Sequence, residues 1–341
     1  MKLDARKQKV LEAIVIDYIA TAEPVGSRTI ARKYNLGVSP ATIRNEMADL
    51  EEMGLIEQPH TSAGRIPSDT GYRYYVDCLM KRAIIAEEVQ ALIERAFQTK
   101  IKQLEDLIQI VGKVLSQITN YTALVLAPQI GKSTLQLIQL MLIEPGKALV
   151  VIVTDSGRIE NKVLEIPENL TKEDLELVSK ILNDKFKGIS LNEWKQIMLR
   201  DLYSQLITQK KVLTLILELI DTILTVDNED KVYLGGTLNI LNQPEFKDVT
   251  KVRNLFELLE KEDVLRELLK DNSGDEVTVR IGTENKYEVM QDCSIITATY
   301  RLNGEVIGTI GVLGPTRMHY SKAVSIVEYL TQVLSLSIKK L

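Results

Sequence analysis

Two cysteines, two histidines and no long apolar run set the first limits on this chain of 341 residues. Cys78 and Cys293 stand far apart, which is no disulfide framework and suits the cytosol. His60 and His319 join those cysteines in no metal-ligand spacing, so no zinc or other metal site is expected. Nor does any serine, histidine and acid set recommend itself for catalysis. The longest apolar runs, such as Ala148 to Val153, are far too short to cross a bilayer. The opening MKLDARKQKV lacks an apolar signal region, and a cytoplasmic protein is expected. No phosphate-loop lysine motif occurs. GTIGVLG at 308–314 sets its glycines in a strand pattern and not in a GxGxxG turn before a helix. Together these absences lead to an expectation of no cofactor, no catalytic residue and no enzyme activity.

What is there is an ordinary globular composition, 45% hydrophobic and 26% charged, long enough for two or three domains. The net charge of −5 argues at first against nucleic acid. Its distribution softens the objection, since residues 1–82 hold 12 Lys and Arg against 11 Asp and Glu, and the remainder 30 against 36. A nucleic-acid reading therefore rests on where particular cations point, more than on total charge.

The informative stretch is VSPATIRNEMADLEEMGLIEQPHTSAGRIP, Val38 to Pro67. Ser39 suits an N-cap and Pro40 the first helical position, whose N–H lacks an intrahelical partner. Ile43, Met47 and Leu50 recur at helical spacing, leaving Thr42, Arg44, Asn45 and Asp49 outside. Gly54 closes this helix, Leu55-Ile56 reads as a short strand, Pro59 to Gly64 as a turn, and Arg65-Ile66-Pro67 as the return strand. Arginine can hold guanine, and asparagine adenine, through two hydrogen bonds each. Arg44 and Asn45 lie where helix-turn-helix proteins place base-reading residues, and Ser39 and Thr42 join them as candidates. His60, Thr61, Ser62 and Arg65, with no acid between Gln58 and Ser68, suit a wing on the DNA backbone. Alone, the segment is equally an amphipathic helix with a solvated polar face.

The upstream residues decide between these readings. Val10, Leu11, Ile14, Val15, Tyr18 and Ile19 form a helix stripe within residues 4–21. Ser27 is read as the cap of a short helix through Lys33, with Arg28, Arg32 and Lys33 available for phosphate. Tyr34 to Gly37 is a tight connection in which Gly37 is free to take positive φ. Helix, short helix, turn, capped helix and hairpin is the order of a winged helix-turn-helix. A further helix is expected from Ser68 to Ile84. Its Tyr72, Tyr74 and Tyr75 could form a base-stacking platform, but aromatics at this spacing fit packing under the wing better. Arg73 beside them is a candidate phosphate contact.

EPVGSRTIARKYNLGVSPATIR and TIRNEMADLEEMGLIEQPHTSAGRIPSDTGYRYYVD resemble the heat-inducible transcription repressor HrcA family. The likeness continues through LGGTLNILNQPEF at 234–246 and GVLGPTRMHY at 311–320, and so covers essentially the whole chain. The resemblance implies a repressor of heat-shock chaperone operons that binds an inverted-repeat operator, called CIRCE. It also implies dependence on the GroEL chaperonin and a GAF-like fold towards the C-terminus.

Beyond Glu87, Phe97, Ile101, Leu104, Ile108, Val111, Leu115 and Ile118 form a heptad-like seam on one helix. That helix either pairs with its twin or packs on a sheet. The strand-like Ala123 to Leu126 that follows favours the sheet. Leu135 to Ile143, Ala148 to Thr154 and Arg158 to Ile166 read as an antiparallel meander. Helices are expected at Lys172 to Phe186 and Asn192 to Leu224. Leu213, Ile216, Leu217 and Ile220 form one apolar stripe of the second, and Val212, Leu215 and Leu219 another. This excess suits an intrachain core or a self-association face, and the twofold operator favours the latter. One or two helices around Leu255 to Leu269, strands near 277–281, 294–300 and 306–313, and a last helix from Tyr320 to Lys339 complete an α+β pattern. The expectation is a multidomain α+β protein, with a winged helix-turn-helix at 1–84, a GAF-like domain at 85–129 and 228–341, and an inserted dimerisation domain at 130–227. The expected partners are double-stranded operator DNA, a second copy of the chain and the chaperonin.

Overall fold

The computed structural model describes residues 3–60, 63–97, 104–127, 134–155, 159–189, 231–270, 277–302 and 304–339. The segment Asn192 to Leu224, and with it the dimerisation face assigned to Val212, Leu213, Leu215, Ile216, Leu219 and Ile220, lies outside them.

The chain is mixed α+β. It begins with α1 (Ala5–Thr21), α2 (Ser27–Lys33) and α3 (Pro40–Glu52), then a hairpin of β1 (Ile56–Glu57) and β2 (Ile66–Pro67). Asp4 caps α1 by accepting from Arg6 and Lys7 N–H. Ser27 does not cap α2 as expected, because Gly26 holds the cap position and Ser27 is already helical. Gly37 and Gly54 take φ of +71° and +72°, as required where the chain leaves α2 and α3.

The helix read from Ser68 to Ile84 is shorter. Ser68 caps α4 (Asp69–Tyr74), a π-turn follows at Tyr75–Leu79, and residues 80–86 are non-helical. The Met80 N–H reaches the Tyr75 carbonyl at 2.8 Å, and this wider ring ends the helix five residues early. Tyr72 and Tyr75 are buried and offer no stacking platform.

The seam after Glu87 is divided between α5 (Glu87–Phe97) and α6 (Leu104–Thr119), with Ile101 outside the described residues. The apolar side of α6, Leu107, Ile108, Val111 and Leu115, packs on a sheet. That five-stranded antiparallel sheet has the order β7-β3-β10-β9-β8, from β3 (Thr122–Leu126), β7 (Val232–Gly235), β8 (Thr278–Ile281), β9 (Cys293–Leu302) and β10 (Glu305–Pro315). One face carries α6 and α10 (Tyr320–Ile338), the other α8 (Val249–Leu259) and α9 (Glu262–Lys270). The glycines of GTIGVLG lie in β10, where neighbours leave no room for a side chain. A Cβ at Gly311 would stand 2.6 Å from the Ile296 carbonyl oxygen. They serve close strand packing.

A smaller sheet, β4 (Leu135–Glu144), β5 (Lys147–Thr154) and β6 (Ile159–Glu165), is the expected meander. It packs on α7 (Lys172–Phe186) around its own core of Ile138, Val150, Leu175 and Phe186. The N-terminal helices have no such independence. Their core runs through Tyr72 and Tyr320 into the α6 and α10 face of the larger sheet.

Candidate nucleic-acid interface

The surface is built on α3. Ser39 Oγ accepts the Thr42 N–H at 3.1 Å and lies 2.9 Å from the Thr42 hydroxyl, fixing where the helix begins. Ile43, Met47 and Leu50 anchor its inner face. Arg44 and Asn45 point outwards, exposed and without an ion pair or hydrogen bond among the described residues. Arg28 and Arg32 on α2 are likewise exposed and unpaired.

Several acids of this unit are neutralised from within. Glu46, which sequence reasoning passed over, is buried on the inner face of α3, with Lys7 Nζ at 2.9 Å and Arg6 at 3.3 Å. Lys7 also meets Asp49 at 2.9 Å. Contact first with Glu46 and then with Asp49 holds the Lys7 ammonium charged well above its ordinary range. Asp17, buried on α1, takes Lys33 at 2.7 Å. The position of Glu46, three residues after Ile43 and four before Leu50, was the available signal that it faces inwards. Pairing leaves a local excess of free guanidinium on the α2 and N-terminal α3 surface, in a chain that is acidic overall.

Three further cations are committed elsewhere. Lys33 is held by Asp17. Arg65 gives Nε and a terminal nitrogen to one Glu51 oxygen, at 2.9 and 2.7 Å, so it ties the hairpin to the end of α3. Its main chain pairs with Val25, and a Cβ at Gly64 would come within 2.5 Å of that residue's carbonyl. The hairpin is thus seated on the loop before α2. Arg73 turns away from this surface altogether, to Glu284, Asp77 and the Val279 carbonyl. His60 is exposed at the hairpin tip, and Thr61 and Ser62 fall outside the described residues. Ser39 caps α3, which carries Thr42, Arg44 and Asn45, and Arg28 and Arg32 lie on α2, which packs against it. The structure sets Arg73 apart.

Among the described residues no cluster of three or more His, Cys, Asp or Glu could hold a metal ion, and no helix is long and apolar enough to cross a membrane.

Comparison with known proteins places the chain in a family. The family model described as HrcA protein C terminal domain matches residues 105–324. The heat-inducible transcription repressor HrcA of Pelotomaculum thermopropionicum is 54% identical over 336 residues, covering 98% of this chain and 97% of that protein. The protein of the same name from Desulfitobacterium hafniense is 51% identical, covering 98% and 97%. A hypothetical protein of known crystal structure has a similar fold, with a TM-score of 0.65 at 25% identity over 99% of both chains. The chain belongs to the HrcA family of heat-inducible transcription repressors.

Proposed function

We propose that this chain represses heat-shock chaperone operons by binding an inverted-repeat operator of the CIRCE type as a homodimer. In this reading residues 1–84 are a winged helix-turn-helix whose α3 enters the major groove. Arg44 and Asn45 read base edges, Ser39 and Thr42 lie at the groove floor, and Arg28 and Arg32 hold the backbone. Exposed Arg44 and Asn45, unpaired among the described residues, on a helix whose Glu46 and Asp49 are held by Lys7 are the observation that carries it. Residues 85–129 and 228–341 form a GAF-like domain, and 130–227 a dimerisation domain. The smaller sheet supports self-association there, because Leu137, Met141, Ile143, Ile159 and Val163 are exposed on its face away from α7.

Family membership supports coupling to a GroEL-type chaperonin, with repression lost when unfolded clients occupy it. Binding is measured to an inverted-repeat operator and to scrambled DNA of equal length, at physiological salt, with and without chaperonin. The expected preference is about a thousandfold or more. Equal binding by folded, dimeric protein removes the reading. A fully reversible thermal transition far above growth temperature without chaperonin removes its chaperonin part.

A further inference from the structure

The N-terminal unit meets the larger sheet and its α10 at several points: the Lys81 carbonyl accepts from the Ser321 hydroxyl, Arg82 pairs with Glu328 at 3.5 Å, and an arginine carries each of two others. At the first, Arg73 on α4 donates Nε to Glu284 at 2.8 Å and one terminal nitrogen to Asp77 at 3.0 Å. Its other terminal nitrogen reaches the second Glu284 oxygen and the Val279 carbonyl of β8. Glu284 is already fixed, since it accepts the Ile281 N–H at 2.8 Å. One turn earlier Asp69 accepts the Thr283 N–H at 2.8 Å and its hydroxyl at 2.9 Å. Gly282, at φ +51°, lies against that carboxylate, where a Cβ would stand 2.2 Å away.

At the second point Arg317 gives Nε to Glu245 at 2.6 Å and a terminal nitrogen to the Ile19 carbonyl at 2.6 Å. Ile19 belongs to the last turn of α1, where carbonyls have no intrahelical partner. A side chain of the sheet unit therefore closes a helix of the DNA-binding unit. Between the two points Tyr72 and Tyr320 are in contact, ring centroids 5.7 Å apart.

Apolar packing resists separation but has little directional preference, whereas a guanidinium fork accepts one planar arrangement. Two such forks on either side of the tyrosine contact define an orientation that the contact alone would leave loose. We infer that Arg73 and Arg317 are positioning residues that fix the angle of the DNA-binding unit on the sheet unit, and so the half-site spacing that a dimer accepts. The inference rests on the proposed dimeric operator binding, because a second half-site is engaged at an effective concentration set by how firmly its reader is held.

The test uses the full-length protein and the Arg73→Gln, Arg317→Gln double variant, against operators whose spacer is lengthened or shortened by single base pairs. Spin labels at positions 9 and 260, in a Cys78→Ser background, report the distance between the two units without DNA. Wild type is expected to show a sharp spacing optimum and a narrow distance distribution. In the double variant the distribution broadens and affinity at the optimum falls by roughly ten- to a hundredfold, while affinity for an isolated half-site and the salt dependence per unit stay the same. An unchanged distance distribution, or a spacing optimum that survives in an operator-specific protein, overturns the positioning role alone. A salt slope lowered by about 0.9 for each Arg73 removed would instead return that residue to the phosphate backbone. Wild type indifferent to operator sequence overturns the DNA-binding reading, and this inference with it.

Discussion

Arg28, Arg32 and Arg44 are exposed with no ion pair among the described residues, whereas Arg73 and Arg317 each hold an acid and a main-chain carbonyl. The two groups are chemically alike and belong to the same molecule. Their surroundings separate them: around α2 and α3 the acids Asp17, Glu46, Asp49 and Glu51 already have another cation, and at the joint Glu284 and Glu245 are left for the arginines. Internal neutralisation of these acids thus leaves Arg28, Arg32 and Arg44 exposed in a chain that is acidic overall. The Lys7, Glu46 and Asp49 cluster supplies it on α3, and Lys33 with Asp17 on α2.

The comparison breaks most visibly if the free side chains are removed. Arg44→Ala with Asn45→Ala is expected to abolish most sequence discrimination, since each bidentate base contact contributes about 1–3 kcal/mol. Thermal stability should hardly move, because neither side chain touches the fold. A variant that melts early while keeping its operator preference would assign both residues to structure.

At the joint the expected effect is on stability. Gly282→Ala introduces a Cβ against the Asp69 carboxylate at a left-handed backbone position. The strain and the displaced Thr283 contacts together should destabilise by about 2–3 kcal/mol in urea unfolding. Wild-type unfolding behaviour in this variant would mean that the Asp69 contact is not held in solution.

A finer separation comes from salt. Losing Arg28 or Arg32 should lower the slope of log affinity against log salt by about 0.9 per phosphate contact removed. Losing Arg65 should affect binding mainly by loosening the hairpin from Glu51, with the slope retained. A lowered slope for Arg65→Ala restores the phosphate role that composition suggested for it.

Much of this architecture was legible because the signals are local. Ser39-Pro40 announces the start of α3 and Gly54 its end, and the strand-like runs from Leu135 announce the meander of β4, β5 and β6. The destinations of Arg65 and Arg73 were not legible, because Glu51 is 14 residues from one and Glu284 is 211 from the other. A cation beside a polar turn looks alike in sequence whether phosphate or a distant carboxylate awaits it. The π-turn at Tyr75–Leu79 was hidden for a related reason. Nothing in YVDCL breaks a helix, and the change of hydrogen-bond ring occurs where Tyr72 and Tyr75 are buried in the core shared with the sheet.

The smallest expected effect concerns His319, which follows the joint residue Arg317 by two positions. Half-burial first, and then the charges of Arg317 and Lys322, lower its pKa below the ordinary 6.5. In the unfolded chain the imidazole takes up a proton as pH falls through 6.5, while in the folded chain it stays neutral to lower pH. The unfolded state therefore binds more protons in that window, and folding stability is lost as pH falls from 6.5 towards the folded value. Above 6.5 both states are neutral and the group contributes no pH dependence. His319→Asn keeps the main-chain N–H that donates to the Tyr121 hydroxyl at 2.9 Å and removes the titration. Urea unfolding from pH 7.5 down to pH 5 should show a shallower fall in stability for this variant than for wild type. An identical fall in both proteins would show that the imidazole of His319 is not the source of this pH dependence.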